Sequence, residues 1–276
     1  MKRQDLLYQI KLKKSYLCIG LDPDLELIPS FIAKTADGIL EFQKSIIEAT
    51  KDLCIAYKPN TAFYESMGDK GWELLQETIR LIPKEHFIIA DAKRGDIGNT
   101  SKKYAEAFFN QKEELRVDAI TVNPYMGSDS VIPFLNFDEK WAIVLALTSN
   151  PGSKDFQLQR LQNGNRLYEE VLDQVKTWGN EDQIMFVVGA TQTDWIASIR
   201  NRVPNHFLLI PGVGAQGGNL QEVSIAGLNN EVGLLVNASR SILYASKGMD
   251  YPMKAREAAR EIQKEMEMIL KERGIV

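Results

Sequence analysis

The sequence predicts a single (β/α)8 barrel, an α/β fold of the TIM type, on three observations. Short apolar runs of strand length recur eight times and alternate with helical segments. Those runs are almost continuously apolar, as strands buried on both faces of a parallel sheet must be. No polar linker divides the 276 residues, and that length suits one barrel spanning 1–276. An open doubly wound sheet is the alternative architecture, but the Gly-rich first turn of that fold is absent.

Taken in order, the first expected strand covers 15–21 and stops at Asp22-Pro23-Asp24. Residues 38–53 form an amphipathic helix with Ile39, Leu40, Ile46, Ile47 and Leu53 as its apolar set. The second strand, 54–58, ends at Lys58 before Pro59 and Asn60. Its helix covers 71–82, with Trp72, Leu75 and Ile79 on one side. The third strand begins at Phe87, the fourth covers 118–122 and the fifth 141–147. A long loop with Asn150-Pro151-Gly152 and a polar run to Gly164 follows, a candidate lid. A helix over 165–178 comes next, then strand six over 183–188 with its helix over 193–199. Strands seven (206–210) and eight (233–236) and a final helix over about 252–273 complete the pattern.

The composition, 44% hydrophobic and 25% charged with net charge −4, is that of an ordinary soluble chain. No apolar run approaches the roughly 20 residues of a membrane span, and the N-terminus lacks a signal-peptide core. Cys18 and Cys54 lie in apolar runs and read as buried free thiols of a reducing compartment, so the cytoplasm is expected. Mild acidity argues against a nucleic-acid surface. The one basic tract, Lys11-Leu12-Lys13-Lys14, reads as a solvated loop.

The densest chemistry lies in 87–100. Phe87 to Ala90 read as a short buried strand that Asp91, Lys93 and Arg94 bring to an end. Strand alternation puts Asp91 and Lys93 on one face and Ala92 on the other. Asp96 follows Gly95 on the turn, and Gly98, Asn99 and Thr100 open a helix with Tyr104, Ala105 and Phe108 on one face. An ammonium between two carboxylates is favoured as a cation, which suits a lysine that must act as a charge and give up one proton. Such a cluster is either a satisfied ion-pair network or a functional site.

In this fold, chemistry sits where strands end and their loops begin. There the sequence offers Asp22, Lys58, Asp91, Lys93, Asp96, Asn123, Thr148 and Ser149. Strand seven runs into the glycine-rich segment 211–218 and strand eight into Asn237-Ala238-Ser239-Arg240. Glycines let backbone N–H groups approach an anion, and an arginine fork and a helix start after Ser239 add to a phosphate site. Barrels commonly bind phosphate between these two loops.

Some chemistries are excluded. His86 and His206 stand at strand starts, the bottom of a barrel, so no histidine base and no His/Cys metal cluster is expected. Asp22, Asp91 and Asp96 could hold Mg²⁺, but Lys58 and Lys93 among them would repel it. No dinucleotide fingerprint appears. The expectation is lysine–aspartate chemistry on a phosphorylated small molecule, with no metal.

These residues resemble a known family. Asp91-x-Lys93-x-x-Asp96, with Lys58 closing the second strand, is similar to the orotidine 5′-phosphate decarboxylases. So are 18–24, 211–216 and 238–242, and the likeness covers nearly the whole chain, closest to the longer bacterial branch. The resemblance implies a cofactor-free barrel that converts orotidine 5′-phosphate to UMP and CO2. It implies Lys93 as proton donor, Asp91 beside the substrate carboxylate, and Lys58 and Asp22 on the ribose hydroxyls and in the charge network. It further implies Ser149 on the pyrimidine, Gln216 bridging base and phosphate, Arg240 on the phosphate, and a homodimer in which Asp96 and Thr100 enter the neighbouring subunit's site.

Three other readings stay open. Mg²⁺-dependent sugar-phosphate decarboxylases or aldolases of the same barrel type share the Asp-x-Lys-x-x-Asp run, but carry an acid where Lys58 stands. A Schiff-base aldolase using Lys93 is a second, and a phosphate-binding module without catalysis a third.

Overall fold

The computed structural model describes residues 1–110, 115–190, 193–213 and 218–276. The elements in chain order are α1 (Arg3–Lys13), β1 (Leu17–Leu21), α2 (Ala36–Thr50), β2 (Ala56–Pro59), α3 (Thr61–Glu65), α4 (Asp69–Leu81) and β3 (Phe87–Arg94). Then come α5 (Gly98–Phe109), β4 (Ala119–Val122), α6 (Ser128–Leu135), β5 (Trp141–Leu147), a 3-10 turn (Pro151–Lys154), α7 (Leu167–Val175) and β6 (Ile184–Val188). The chain closes with α8 (Thr193–Arg202), β7 (Phe207–Pro211), α9 (Leu220–Gly227), β8 (Leu234–Ala238), α10 (Arg240–Leu243) and α11 (Tyr251–Glu272). The eight strands pair in sequence order, all parallel, and β8 returns to β1, so the predicted (β/α)8 barrel is what forms.

Closure leaves no free edge, and every residue of β1, β2, β4, β6 and β8 is buried. Phe87, Trp141 and Phe207 open β3, β5 and β7. Trp141 meets the other two rings edge to face at 6.1 and 6.4 Å. Alternate strands contribute to one layer in such a barrel, and these three rings pack its lower end.

Across that end lies α1, buried through Leu6 and Ile10. Arg3 donates to the carbonyls of Glu181 and Asn205, just ahead of β6 and β7, and its guanidinium lies 5.1 Å from the Phe207 ring centre. The tract Lys11–Lys14 is therefore the end of a helix and its cap, not a solvated loop. Lys13 Nζ donates to the carbonyls of Lys51 and Cys54, and Lys14 pairs with Glu267. Both cysteines are buried free thiols, and burial pushes Cys54 up to about 12.

Among the strands β3 departs most from the sequence expectation, running through the charges to Arg94 instead of stopping at Ala90. Its pairing with β4 slips there. Ala90 pairs with Ile120 and Arg94 with Val122, so Asp91, Ala92 and Lys93 face Thr121 alone. This is a bulge, a device that re-aims a side chain beside a site. Arg94 anchors its far end, pairing with Glu65 on α3 and stacking over the rings of Tyr104 and Phe108 on α5. The segment after β5 is a folded loop. Leu161 and Leu167 donate to the carbonyls of Asn165 and Gln159, and Gln157 Oε1 accepts from the Thr148 amide at 2.7 Å.

Candidate active site at the barrel mouth

At the C-terminal ends of β2 and β3, two lysines share one carboxylate. Lys58 Nζ donates to Asp91 Oδ2 at 2.7 Å and Lys93 Nζ to Asp91 Oδ1 at 2.6 Å. The pairing follows from topology. Asn60, just past β2, bridges to Asp91, which brings the Lys58 and Asp91 side chains across adjacent strands. Lys58 and Asp91 are nearly buried, whereas the Lys93 side chain is 50% exposed, so one ammonium is structural in setting and the other faces outward.

Burial alone would raise the Asp91 carboxyl, but Lys58 and then Lys93 outweigh it and hold the group well below the usual carboxylate range. Burial likewise works against the Lys58 charge, and the Asp91 and Asp22 carboxylates more than restore it, leaving Lys58 above its ordinary value. Asp91 is thus a fixed anion whose two oxygens aim two ammoniums.

Lys93 meets Asp91 on the side that alternation expects, but through an irregular backbone. Lys93 lies inside the bulge with φ 47°, the left-handed region. Its N–H donates to Thr121 Oγ1 at 2.8 Å, and the Thr121 hydroxyl donates to Asp91 Oδ1 at 3.1 Å.

Asp22 follows β1. Ser239 Oγ donates to its Oδ2 at 2.6 Å, and Tyr244 Oη donates to its backbone carbonyl at 2.7 Å. Its Oδ1 is buried with no partner among the described residues. Gly20 makes room for this contact, since a Cβ there would stand 1.7 Å from Ser239 Oγ.

The remaining expected residues divide. Ser149 lies past β5, half-buried, where a Cβ on Gly189 would collide with its backbone at 2.7 Å, so Gly189 lets the two loops approach. Arg240 is exposed at the start of α10 and pairs with no carboxylate among the described residues. That helix is a single turn, so its dipole is smaller than the sequence suggested. Gln216 lies outside the described residues. Gly212, with φ 99°, uses the backbone freedom expected of that loop.

Asp96 is not bound to Lys93 within the chain. Its Oδ1 accepts from the Ile97 N–H on the exposed turn, and Thr100 is exposed in the first turn of α5. The intrachain Asp91–Lys93–Asp96 cluster read from the sequence is therefore corrected: Lys58, not Asp96, is the third member. His86 and His206 stand just ahead of β3 and β7 at the opposite end, and burial pushes His206 down to about 4.

Sequence reasoning missed Thr121, Ser239 and Tyr244 as holders of the site. The available signal was slight: Thr121 is the one polar residue in the run Ala119–Val122.

Comparisons with known proteins give one set of relatives. A curated relative from Bacteroides fragilis named orotidine 5′-phosphate decarboxylase is 54% identical over 98% of this chain and 99% of its own. One of the same name from Flavobacterium johnsoniae is 56% identical over 98% of each chain. Among solved structures, Leishmania donovani OMP decarboxylase superposes with TM-score 0.82 at 38% identity, over 97% of this chain and 100% of that one. Leishmania donovani UMP synthase superposes with TM-score 0.85 at 40% identity over 98% of this chain, which spans 56% of the synthase chain. The family model described as orotidine 5′-phosphate decarboxylase / HUMPS family matches residues 15–250, across all eight strands and the Lys58–Asp91–Lys93 site, and the chain belongs to that family.

Proposed function

We infer that this chain decarboxylates orotidine 5′-phosphate to UMP and CO2 in pyrimidine biosynthesis, as one barrel domain over 1–276. The observation that carries the reading is the Asp91 carboxylate clamped between Lys58 and Lys93 at the mouth of a closed barrel. Relatives at 50–56% identity carry the name of that activity. Lys58 opposes the Mg²⁺-dependent sugar-phosphate alternative, because its ammonium sits on the carboxylate a metal would need.

The chemistry follows from the charges. Breaking the bond between the ring carbon and its carboxylate releases CO2 and leaves the electron pair on that carbon, in the ring plane, where the π-system cannot spread it. Lys93 is the cation placed to stabilise that pair and then to protonate it, giving UMP; solvent returns the proton to the amine. An ammonium fixed by Asp91 needs no reorganisation at that moment, and its effect grows as water is excluded. Asp22 and Lys58 hold the ribose hydroxyls, Ser149 the pyrimidine, Gln216 base and phosphate, and Arg240 the phosphate. Phosphate binding far from the reacting carbon supplies free energy for closing the loop after β5.

The working unit in this reading is a homodimer, with Asp96 and Thr100 of the partner subunit completing each site. Exposed apolar residues support it. Ile97, Tyr125, Met126 and Phe156 are 46–79% exposed on the loops after β3, β4 and β5. Tyr125 and Phe156 also line an apolar groove of about 670 Å³ beside α7. No metal, cofactor, nucleic acid or membrane enters the reading, and the cytoplasm is its setting. No helix among the described residues is long and apolar enough to cross a membrane.

The test is the loss of absorbance of orotidine 5′-phosphate on incubation with the purified chain in EDTA. Turnover that EDTA leaves unchanged is expected. No turnover, or turnover that EDTA abolishes and Mg²⁺ restores, would overturn the reading.

A further inference from the structure

We propose that Thr121 is a positioning residue that sets the backbone of Lys93 and the carboxylate of Asp91, and so aims the Lys93 ammonium. The inference rests on the reading of Lys93 as proton donor. Three residues of β3 face Thr121 alone, and the ladder cannot pair all of them. Lys93 is displaced within that bulge, and of the described non-glycine residues with positive φ it is the one that lies inside a strand. A lysine does not adopt that conformation without a partner that fixes it.

The Thr121 hydroxyl is such a partner, and one oxygen serves two groups. It accepts from the Lys93 N–H at 2.8 Å, leaving its own proton for Asp91 Oδ1 at 3.1 Å. The same Oδ1 accepts from Lys93 Nζ at 2.6 Å. The ring of contacts therefore runs from the Lys93 backbone through Thr121 and Asp91 to the Lys93 side chain. Both ends of one residue are held by two neighbours. Thr121 is 1% exposed and stands behind Asp91, so it acts through Lys93 and Asp91 rather than on the substrate.

Thr121→Val keeps the branched shape and removes both hydrogen bonds; Thr121→Ser keeps the hydroxyl and removes a methyl group. Two readouts separate positioning from packing. The first is steady-state decarboxylation. A misplacement near 1 Å costs roughly 100-fold in rate, so Thr121→Val should lose kcat by roughly that factor with KM within a few-fold of wild type. Thr121→Ser should return kcat to within a few-fold of wild type. The second is hydrogen exchange of the Lys93 amide in ¹⁵N-lysine-labelled protein, assigned with Lys93→Ala. The amide should be protected in wild type and Thr121→Ser and exchange at least tenfold faster in Thr121→Val.

Wild-type kcat in Thr121→Val, or equal losses in the Val and Ser variants, would overturn the proposal, as would an amide equally protected in all three. If the wild-type chain leaves orotidine 5′-phosphate unchanged, the reading of the reaction fails. The exchange measurement then still decides whether Thr121 holds Lys93.

Discussion

Asp91→Asn tests the charge balance of the site with almost no change of shape. In the native chain Asp91 Oδ2 accepts from Lys58 at 2.7 Å, and Oδ1 accepts from Lys93 at 2.6 Å and from Thr121 at 3.1 Å. An amide keeps one acceptor oxygen. Its NH₂ group must then face an ammonium, donor against donor. Lys58 is 4% exposed, so its charge would remain buried with Asp22 as the nearest compensating anion. Removing one partner of a buried pair costs roughly 3–5 kcal/mol. Lys93 is half exposed and adds at most about 1 kcal/mol. With Asp22 still present, the lower end applies, so a loss of about 3 kcal/mol is expected near pH 7. At a urea slope of roughly 1–3 kcal/mol per molar, the midpoint should fall by about 1 M or more.

The pH dependence has a defined sign. The folded Asp91 carboxyl lies below its unfolded value, so its contribution is complete above about pH 5 and fades as pH drops further. Lys58 is raised in the folded state, so its share persists up to the unfolded lysine value of about 10.4 and is lost at higher pH. The stability gap between wild type and Asp91→Asn should thus be flat from about pH 5 to 10 and shrink at the acid edge of folding. Urea unfolding at a series of pH values measures it. An Asn variant as stable as wild type at pH 7 would refute the reasoning, as would a gap that stays constant into acid.

Three further outcomes are expected. Lys93→Ala should stay folded and lose nearly all turnover, and Lys93→Arg should fail too because its planar fork cannot take the ammonium's place; single-turnover decarboxylation in D₂O, with deuterium followed at the ring carbon, checks both. Arg240→Ala should raise KM by roughly 10- to 150-fold, the equivalent of the 1.5–3 kcal/mol of a charge-assisted hydrogen bond, with partial rescue by guanidinium; steady-state kinetics read it. Inactive Asp96→Ala and Lys93→Ala chains, mixed and allowed to exchange subunits, should regain activity through hybrid sites, and proven exchange without recovery would return Asp96 to its own subunit's site.

The barrel was legible because its strands advertise themselves. Runs such as Trp141–Leu147 and Ile184–Val188 are apolar throughout, and no half-buried strand needs such a run. What escaped was of two physical kinds. α1 buries Leu6 and Ile10, but Tyr8 and Leu12 stand exposed and scatter its apolar residues around the helix, so little apolar periodicity marks it. β3 continues through Asp91 and Lys93, residues that local propensity places at a strand end. Here the cost of carrying charge into the sheet is offset from a neighbouring strand, by a lysine 33 residues away in sequence.

The same distinction separates what the sequence disclosed of the site from what it did not. Strand-end position alone nominated Asp22, Lys58, Asp91 and Lys93, because a barrel brings all its strand ends to one face. The ties among them are another matter. Ser239 reaches Asp22 across the β8–β1 seam that closes the barrel, a contact between residues 217 apart that no local pattern encodes. Thr121 looked like any β-branched residue in a buried strand. Its hydroxyl acquires a role because β3 slips against β4; the Asp91 and Lys93 side chains still meet on one side, as alternation expects, but no alternation rule encodes the slip or the hydroxyl that fits it. The two lysines around Asp91 were readable as chemistry. The bulge that turns one of them outward arises from strand pairing, and it leaves Lys58 buried as the fixed counter-charge while Lys93 is presented at the mouth.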